Sequence, residues 1–150
     1  MKALLIGATG STGKFLLNEL IQDDDYTSVT IFVRRSTGRS HPKLTEHVID
    51  FSTIDQYQQL ITGDVLFSCL GTTLKAAGSK EKQWDIDFNI PATFAAIARK
   101  NRVNSLVLVS SSDASPTSRI FYSRMKGELE TAITEMDFGQ YIIFRPGPLL

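Results

Sequence analysis

Cysteine is almost missing: Cys69 stands alone, so the chain cannot close a disulfide on itself. That points to a reducing compartment, and the expectation drawn from it is a cytoplasmic protein. An excess of charge of either sign is missing too. Sixteen Lys and Arg balance sixteen Asp and Glu for a net charge of +0, which argues against a nucleic-acid binder or a membrane-surface protein. No apolar run approaches the ~20 residues of a spanning helix. Residues 1–13 are too short and too glycine-rich for the apolar region of a secretory leader, and no repeat or low-complexity linker interrupts the chain. Histidine is scarce, and His47 has no second ligand at metal spacing, so no metal centre is expected. What remains is 150 residues, 42% hydrophobic and 21% charged, which fits one globular domain with an ample core.

The chain is organised around its opening, MKALLIGATGSTG. Ala3 to Ile6 is a continuous apolar run, the mark of a strand buried on both faces of a parallel sheet. Gly7, Gly10 and Gly13 follow, and Lys14 to Ile21 reads as a helix. Strand, glycine turn and helix form the setting in which a dinucleotide fingerprint carries meaning. The first glycine permits a tight turn, the middle one lets backbone N–H groups approach a pyrophosphate, and the last allows close helix–strand packing. The spacing is G-x-x-G-x-x-G, and the competing reading is a plain α/β turn.

Asp23 to Asp25 precede the second strand, Ser28 to Val33, and read as a solvated loop. An NAD-selecting carboxylate stands at the far end of that strand. The chain puts Arg34 and Arg35 there instead, and a guanidinium pair suits a 2′-phosphate. The alternative is a solvated basic loop, which fits Arg39, His41 and Lys43 better than the adjacent pair. Glu46 to Ile49 is a third strand ending at Asp50 and Phe51. Asp50 either accepts from an adenine amine, with Phe51 packing nearby, or caps the helical stretch holding Ile54, Tyr57 and Leu60.

Asp64 to Ser68 is a fourth strand, followed by Cys69, Leu70, Gly71, Thr72 and Thr73. That small strand end suits a nicotinamide ribose, and Cys69 reads as a buried filler because no base adjoins it. Lys75 to Lys82 reads as a polar, mobile loop. A long helix is expected from Gln83 to Lys100, with Asp87 and Asn89 holding its first turn and Pro91 kinking or restarting it. Leu106 to Val109 is a fifth strand that delivers Ser110, Ser111, Ser112 and Asp113. The carboxyl ends of such strands are where ligands bind. Ile120 to Met136 reads as a helix on which Tyr122 and Lys126, four apart, share a face. A phenol of pKa about 10 needs a nearby ammonium to ionise near neutrality, and a serine hydroxyl beside it would complete an acid/base site. Tyr141 to Phe144 is a sixth strand ending in Arg145, Pro146, Gly147 and Pro148.

Together IGATGSTG, FVRR, VIDF, SCLGTT, SSS, YSRMKGELE and FRPGPLL resemble the short-chain dehydrogenase/reductase superfamily. They are most similar to its atypical group typified by the Tat-interactive-protein oxidoreductases. The resemblance implies a doubly wound parallel α/β sheet, a Rossmann fold of three layers and about six strands. It implies NADP as cofactor in preference to NAD, Tyr122 as acid/base, Lys126 as its partner and Ser111 as the catalytic serine, with Ser110 and Ser112 open. The cofactor contacts it implies are Gly7, Thr9, Gly10, Ser11, Thr12, Gly13, Arg34, Arg35, Asp50, Phe51, Leu70, Gly71 and Thr72. Tyr122, Lys126, Pro146 and Gly147 complete that set at the nicotinamide end. The activity implied is hydride transfer on a small carbonyl or alcohol, with an NADPH-sensing scaffold as the alternative and sugar-nucleotide epimerisation as a lesser one. Residues 1–150 are expected to form the nucleotide-binding domain without the C-terminal substrate-binding extension of such proteins. The expected partners are the dinucleotide and an unidentified small molecule, with no nucleic acid and no membrane; a homodimer is raised by analogy.

Overall fold

A computed structural model describes residues 1–147. Six strands, β1 (Lys2–Ile6), β2 (Ser28–Val33), β3 (Leu44–Val48), β4 (Val65–Ser68), β5 (Ser105–Val109) and β6 (Gln140–Phe144), form one parallel sheet in the order β3-β2-β1-β4-β5-β6. The chain winds outward from β1 in one direction, then returns to start β4 on its other side. The crevice where the order reverses lies between β1 and β4, and ligands of such sheets bind there.

β1 is apolar throughout after Lys2 because both its faces are covered. Leu4 and Ile6 face a core shared with Phe32, Leu66, Leu106 and Leu108. Helices α4 (Ile90–Lys100) and α5 (Phe121–Thr134) cover that side through Phe94, Ala95, Leu129 and Ile133. Ala3 and Leu5 face the opposite core with Val29, Ile31 and Phe67, covered by Leu17, Leu20 and Ile21 of α1 (Ser11–Gln22). Three layers result, with helices on both faces of the sheet.

The structure departs from the sequence-based expectation in three places. Leu74–Ala77 (α2) and Lys80–Trp84 (α3) are helical where a loop was expected, capped by the Thr73 and Ser79 side chains. The long helix therefore begins before Gln83 and runs through a π turn, Asp85–Asn89, into α4. The Ile90 amide donates to the Asp85 carbonyl five residues back, and Pro91, which has no N–H to give, sits in the first turn after this slip and breaks nothing. The third difference is Phe51–Leu60, a 3-10 segment opened by Asp50, whose carboxylate accepts from the Ser52 amide at 2.9 Å. Asp23 to Asp25 are exposed. Among the described residues no helix is long and apolar enough to cross a membrane, and no three metal-ligating side chains gather.

Candidate functional site

Gly7 has φ +86°, a left-handed conformation that favours glycine, and a Cβ there would stand 2.4 Å from the Cys69 carbonyl carbon. A Cβ on Gly13 would lie 1.7 Å from the Gly7 oxygen. These two glycines are therefore required by the turn itself. Gly10 differs, because its Cβ would meet only the Gly7 oxygen at 3.7 Å, an ordinary contact. Gly10 caps α1 without a side chain to satisfy the helix N–H groups, and no acidic residue stands in the first turn. Backbone donors and the positive end of the helix dipole are thus left for an anion.

Gly10, Ser11 and Thr12 form one rim of a cavity of about 450 Å³. Its other walls are Leu70 to Thr73, Ser110 to Asp113, Tyr122, Lys126, Pro146 and Gly147. Four strand ends and α5 thus bring the glycine turn, the serine strip and the tyrosine–lysine pair to one place. The Lys126 Nζ stands 5.7 Å from the centre of the Tyr122 ring. Lys126 is 4% exposed, Tyr122 40%. Burial, then the Asp87 carboxylate, pushes the Tyr122 phenol above its ordinary value, so the hydroxyl is protonated at neutral pH. The Lys126 ammonium is lowered by burial, against the opposing charges of Asp87 and Glu130.

Asp87 and Glu130 are the residues that sequence reasoning missed as parts of the site. Asp87 is fully buried; its Oδ1 accepts from the Thr72 amide at 2.8 Å, its Oδ2 has no partner, and burial raises its carboxyl. A Cβ on Gly71 would lie 3.4 Å from that Oδ1 and 3.7 Å from the Lys126 Nζ, so the bare Gly71 backbone fits between carboxylate and ammonium. Glu130 accepts from Ser110 Oγ at 2.7 Å and pairs with Arg145. The one signal for it was position: Tyr122, Lys126 and Glu130 recur every four residues on one helix face. Ser110 is thereby committed to Glu130, while Ser111 and Ser112 remain on the cavity wall.

A second cavity of about 470 Å³ holds Gly7, Thr9, Arg34, Arg35 and Phe51 and shares Leu70, Gly71 and Thr72 with the first. The two form one trough across the carboxyl edge of the sheet. Arg34 and Arg35 are exposed, and the salt bridge found among the described residues is that of Arg145 with Glu130. Asp50 does not line the trough and its carboxylate is engaged as a cap. A third, more apolar hollow, with Leu74, Lys80, Ile120 and Phe121, adjoins Tyr122. Cys69 is no nucleophile near neutrality, because burial pushes its thiol up to about 11. Pro148 to Leu150, the end of the FRPGPLL motif, lie outside the described residues.

A family described as NAD(P)H-binding matches residues 7–150. Protein FMP52, mitochondrial, of Saccharomyces cerevisiae is 38% identical over 156 residues, covering 100% of this chain and 66% of its own length. Protein HTATIP2 of Rattus norvegicus is 33% identical over 150 residues, 97% of this chain and 62% of its own. The chain thus spans about two-thirds of the length of these relatives. The fold is shared with the UDP-Glc/GlcNAc 4-epimerase of Campylobacter jejuni at 15% identity and a TM-score of 0.81, over 96% of this chain and 52% of that one. It is shared also with Bordetella bronchiseptica WbmH, solved in complex with NAD+, at 17% identity and 0.79, over 96% and 55%. One expectation is overturned: FMP52 proteins of several fungi are named as mitochondrial, which points away from the cytoplasm. A single cysteine speaks to redox conditions alone, and those do not give an address.

Proposed function

The chain belongs to the NAD(P)H-binding family and, within it, to the atypical short-chain dehydrogenase/reductase group that includes Protein HTATIP2; on that premise we propose that it is an NADP(H)-dependent reductase of a small carbonyl compound. The observation that carries this is the single trough joining Arg34 and Arg35 to the Gly10 helix end, and that end to Tyr122, Lys126 and the serine strip. The residues fit the group they would hold. The uncapped N-terminus of α1 suits a pyrophosphate, Gly71 leaves room beside Lys126, and the two guanidiniums suit a 2′-phosphate. Thr9, Ser11, Thr12, Leu70, Thr72 and Phe51 would line its course, with Pro146 and Gly147 at the nicotinamide end; Asp50 would act there only through its helix.

Bound NADPH supplies the hydride. The Ser111 hydroxyl donates a hydrogen bond to the substrate carbonyl oxygen and holds it beside Tyr122. The phenol, kept protonated by burial and by Asp87, gives its proton to that oxygen as charge develops on it. The Lys126 cation stabilises the phenolate left behind and would bond the nicotinamide ribose of the bound cofactor. The apolar hollow of Leu74, Ile120 and Phe121 receives the body of the substrate. In this reading residues 1–150 are the nucleotide-binding domain, and further substrate contacts belong to the extra length that the relatives have.

A panel of aldehydes and ketones offered with NADPH, followed by loss of absorbance of the reduced nicotinamide, tests the proposal. Turnover is expected with at least one, and Tyr122→Phe should cut it by about 10²- to 10⁴-fold while NADPH still binds. Full turnover by Tyr122→Phe removes the mechanism. NADPH binding without oxidation across the panel favours a sensor of reduced dinucleotide instead.

A further inference from the structure

Three segments far apart in the sequence meet on one carboxylate at the back of the first cavity. Glu130, on α5, is 7% exposed. It accepts from Ser110 Oγ, just past β5, at 2.7 Å, and from Arg145, just past β6, whose Nη2 lies 2.5 Å and Nε 3.1 Å away. Its backbone carbonyl accepts from the Tyr141 hydroxyl at 3.2 Å. Next to this cluster the pairing of β5 with β6 runs on past both strands. The Ser110 amide donates to the Phe144 carbonyl at 2.7 Å and the Ser112 amide to the Pro146 carbonyl at 3.1 Å. A carboxylate taken so far from water persists only where its oxygens are satisfied. Here one guanidinium fork and one hydroxyl engage both oxygens.

We propose that Glu130 is a positioning residue that locks the ends of β5 and β6 onto α5, fixing the Pro146–Gly147 wall and the serine strip opposite Tyr122 and Lys126. Lys126 stands one helical turn before Glu130 on the same face, so the lock and the reacting pair share one rigid element. Ser110 belongs to the lock, and Ser111 and Ser112 are left on the cavity wall with no such tie. Arg145 is the outer half of the lock, with 53% of its side chain exposed. Its removal leaves the core packing untouched.

Arg145→Ala and Glu130→Gln, the second retaining shape and an acceptor for Ser110, are the variants to compare with the 150-residue chain. The first readout needs no ligand: hydrogen exchange at the Ser110 and Ser112 amides should quicken about tenfold in both variants, as expected for loss of one charge-assisted bond, with the β1 and β4 amides unaltered. The second rests on the dinucleotide reading above. NADPH affinity should fall about tenfold, and affinity for adenosine 2′,5′-bisphosphate, which reaches only the adenosine end, should hold within about twofold. The double variant should be no worse than either single one. Unaltered exchange at Ser110 and Ser112 overturns the proposal. An equal loss of both ligands does so too, because a general loosening of the fold produces that pattern. A wild-type chain that binds neither ligand overturns the dinucleotide reading instead, and the exchange result then decides this one.

Discussion

At the Tyr122 end of the trough, Asp87, Lys126 and Glu130 are all buried, whereas Arg34 and Arg35 at the other end stand in solvent. The buried end is cross-tied: Thr72 to Asp87, Ser110 and Arg145 to Glu130, and the Ser112 amide to Pro146. At the exposed end the arginines make no salt bridge with any described residue, and the nearby Asp50 is occupied by its own helix. The contrast fits the role proposed for each end. In the proposed mechanism proton transfer requires groups held within a few tenths of an ångström, and the ties on Glu130 hold α5, the helix that carries Tyr122. A charge that selects a phosphate can act from a solvated side chain and be brought to order by the ligand.

The largest effect is expected at the glycine turn, which lies between the two ends. Gly13→Ala drives a Cβ onto the Gly7 oxygen, and backbone on both sides leaves nowhere to move. A loss of about 3 kcal/mol or more in denaturant unfolding is expected, with dinucleotide binding abolished. A variant of unaltered stability would break the claim that packing dictates this glycine. Cys69, on the wall of the first cavity, probes the buried end without a mutation. With its thiol at about 11, alkylation by iodoacetamide at pH 8 should run about a hundredfold slower than for a free thiol. The rate should climb as pH rises toward the folded value. Because the raised pKa means that the folded state holds the proton more tightly, stability falls as pH rises from the ordinary thiol range through that value.

The exposed end should respond in binding and not in stability. Arg34→Ala with Arg35→Ala is expected to weaken NADPH by about 10- to 100-fold and NADH hardly at all. The melting temperature should stay within a degree or two. No loss for either dinucleotide would assign the pair to the solvated loop. The smallest structural effect belongs to Gly10→Ala, whose Cβ makes only an ordinary contact with the Gly7 oxygen. Stability should hold to about 1 kcal/mol while NADPH affinity drops about tenfold, because the methyl group intrudes where a pyrophosphate approaches.

The two ends also differ in how far the sequence reveals them. Strand, glycine turn and helix are contiguous, so β1, α1 and the turn between them could be read from local pattern alone. Arg34 and Arg35 follow β2 directly and were equally plain. The Ser110–Glu130–Arg145 lock was hidden because its members are 20 and 15 residues apart and only the packing of β5, β6 and α5 brings them together. Leu74–Ala77 and Lys80–Trp84 escaped notice because four- and five-residue helices carry no apolar period, although Thr73 and Ser79 are ordinary caps. The tyrosine shows a different limit. Its spacing from Lys126 suggested a lowered phenol, yet burial and Asp87 act the other way. Spacing shows which groups meet, and it does not show how much water they lose.

The central claim is that one trough runs from the arginine pair to Tyr122 and holds NADP(H). Titration of the cofactor-free chain with NADPH and with NADH, followed by nicotinamide fluorescence, tests it most directly. Saturable NADPH binding with NADH weaker by at least about tenfold is the predicted result. A folded chain that binds neither dinucleotide would contradict it.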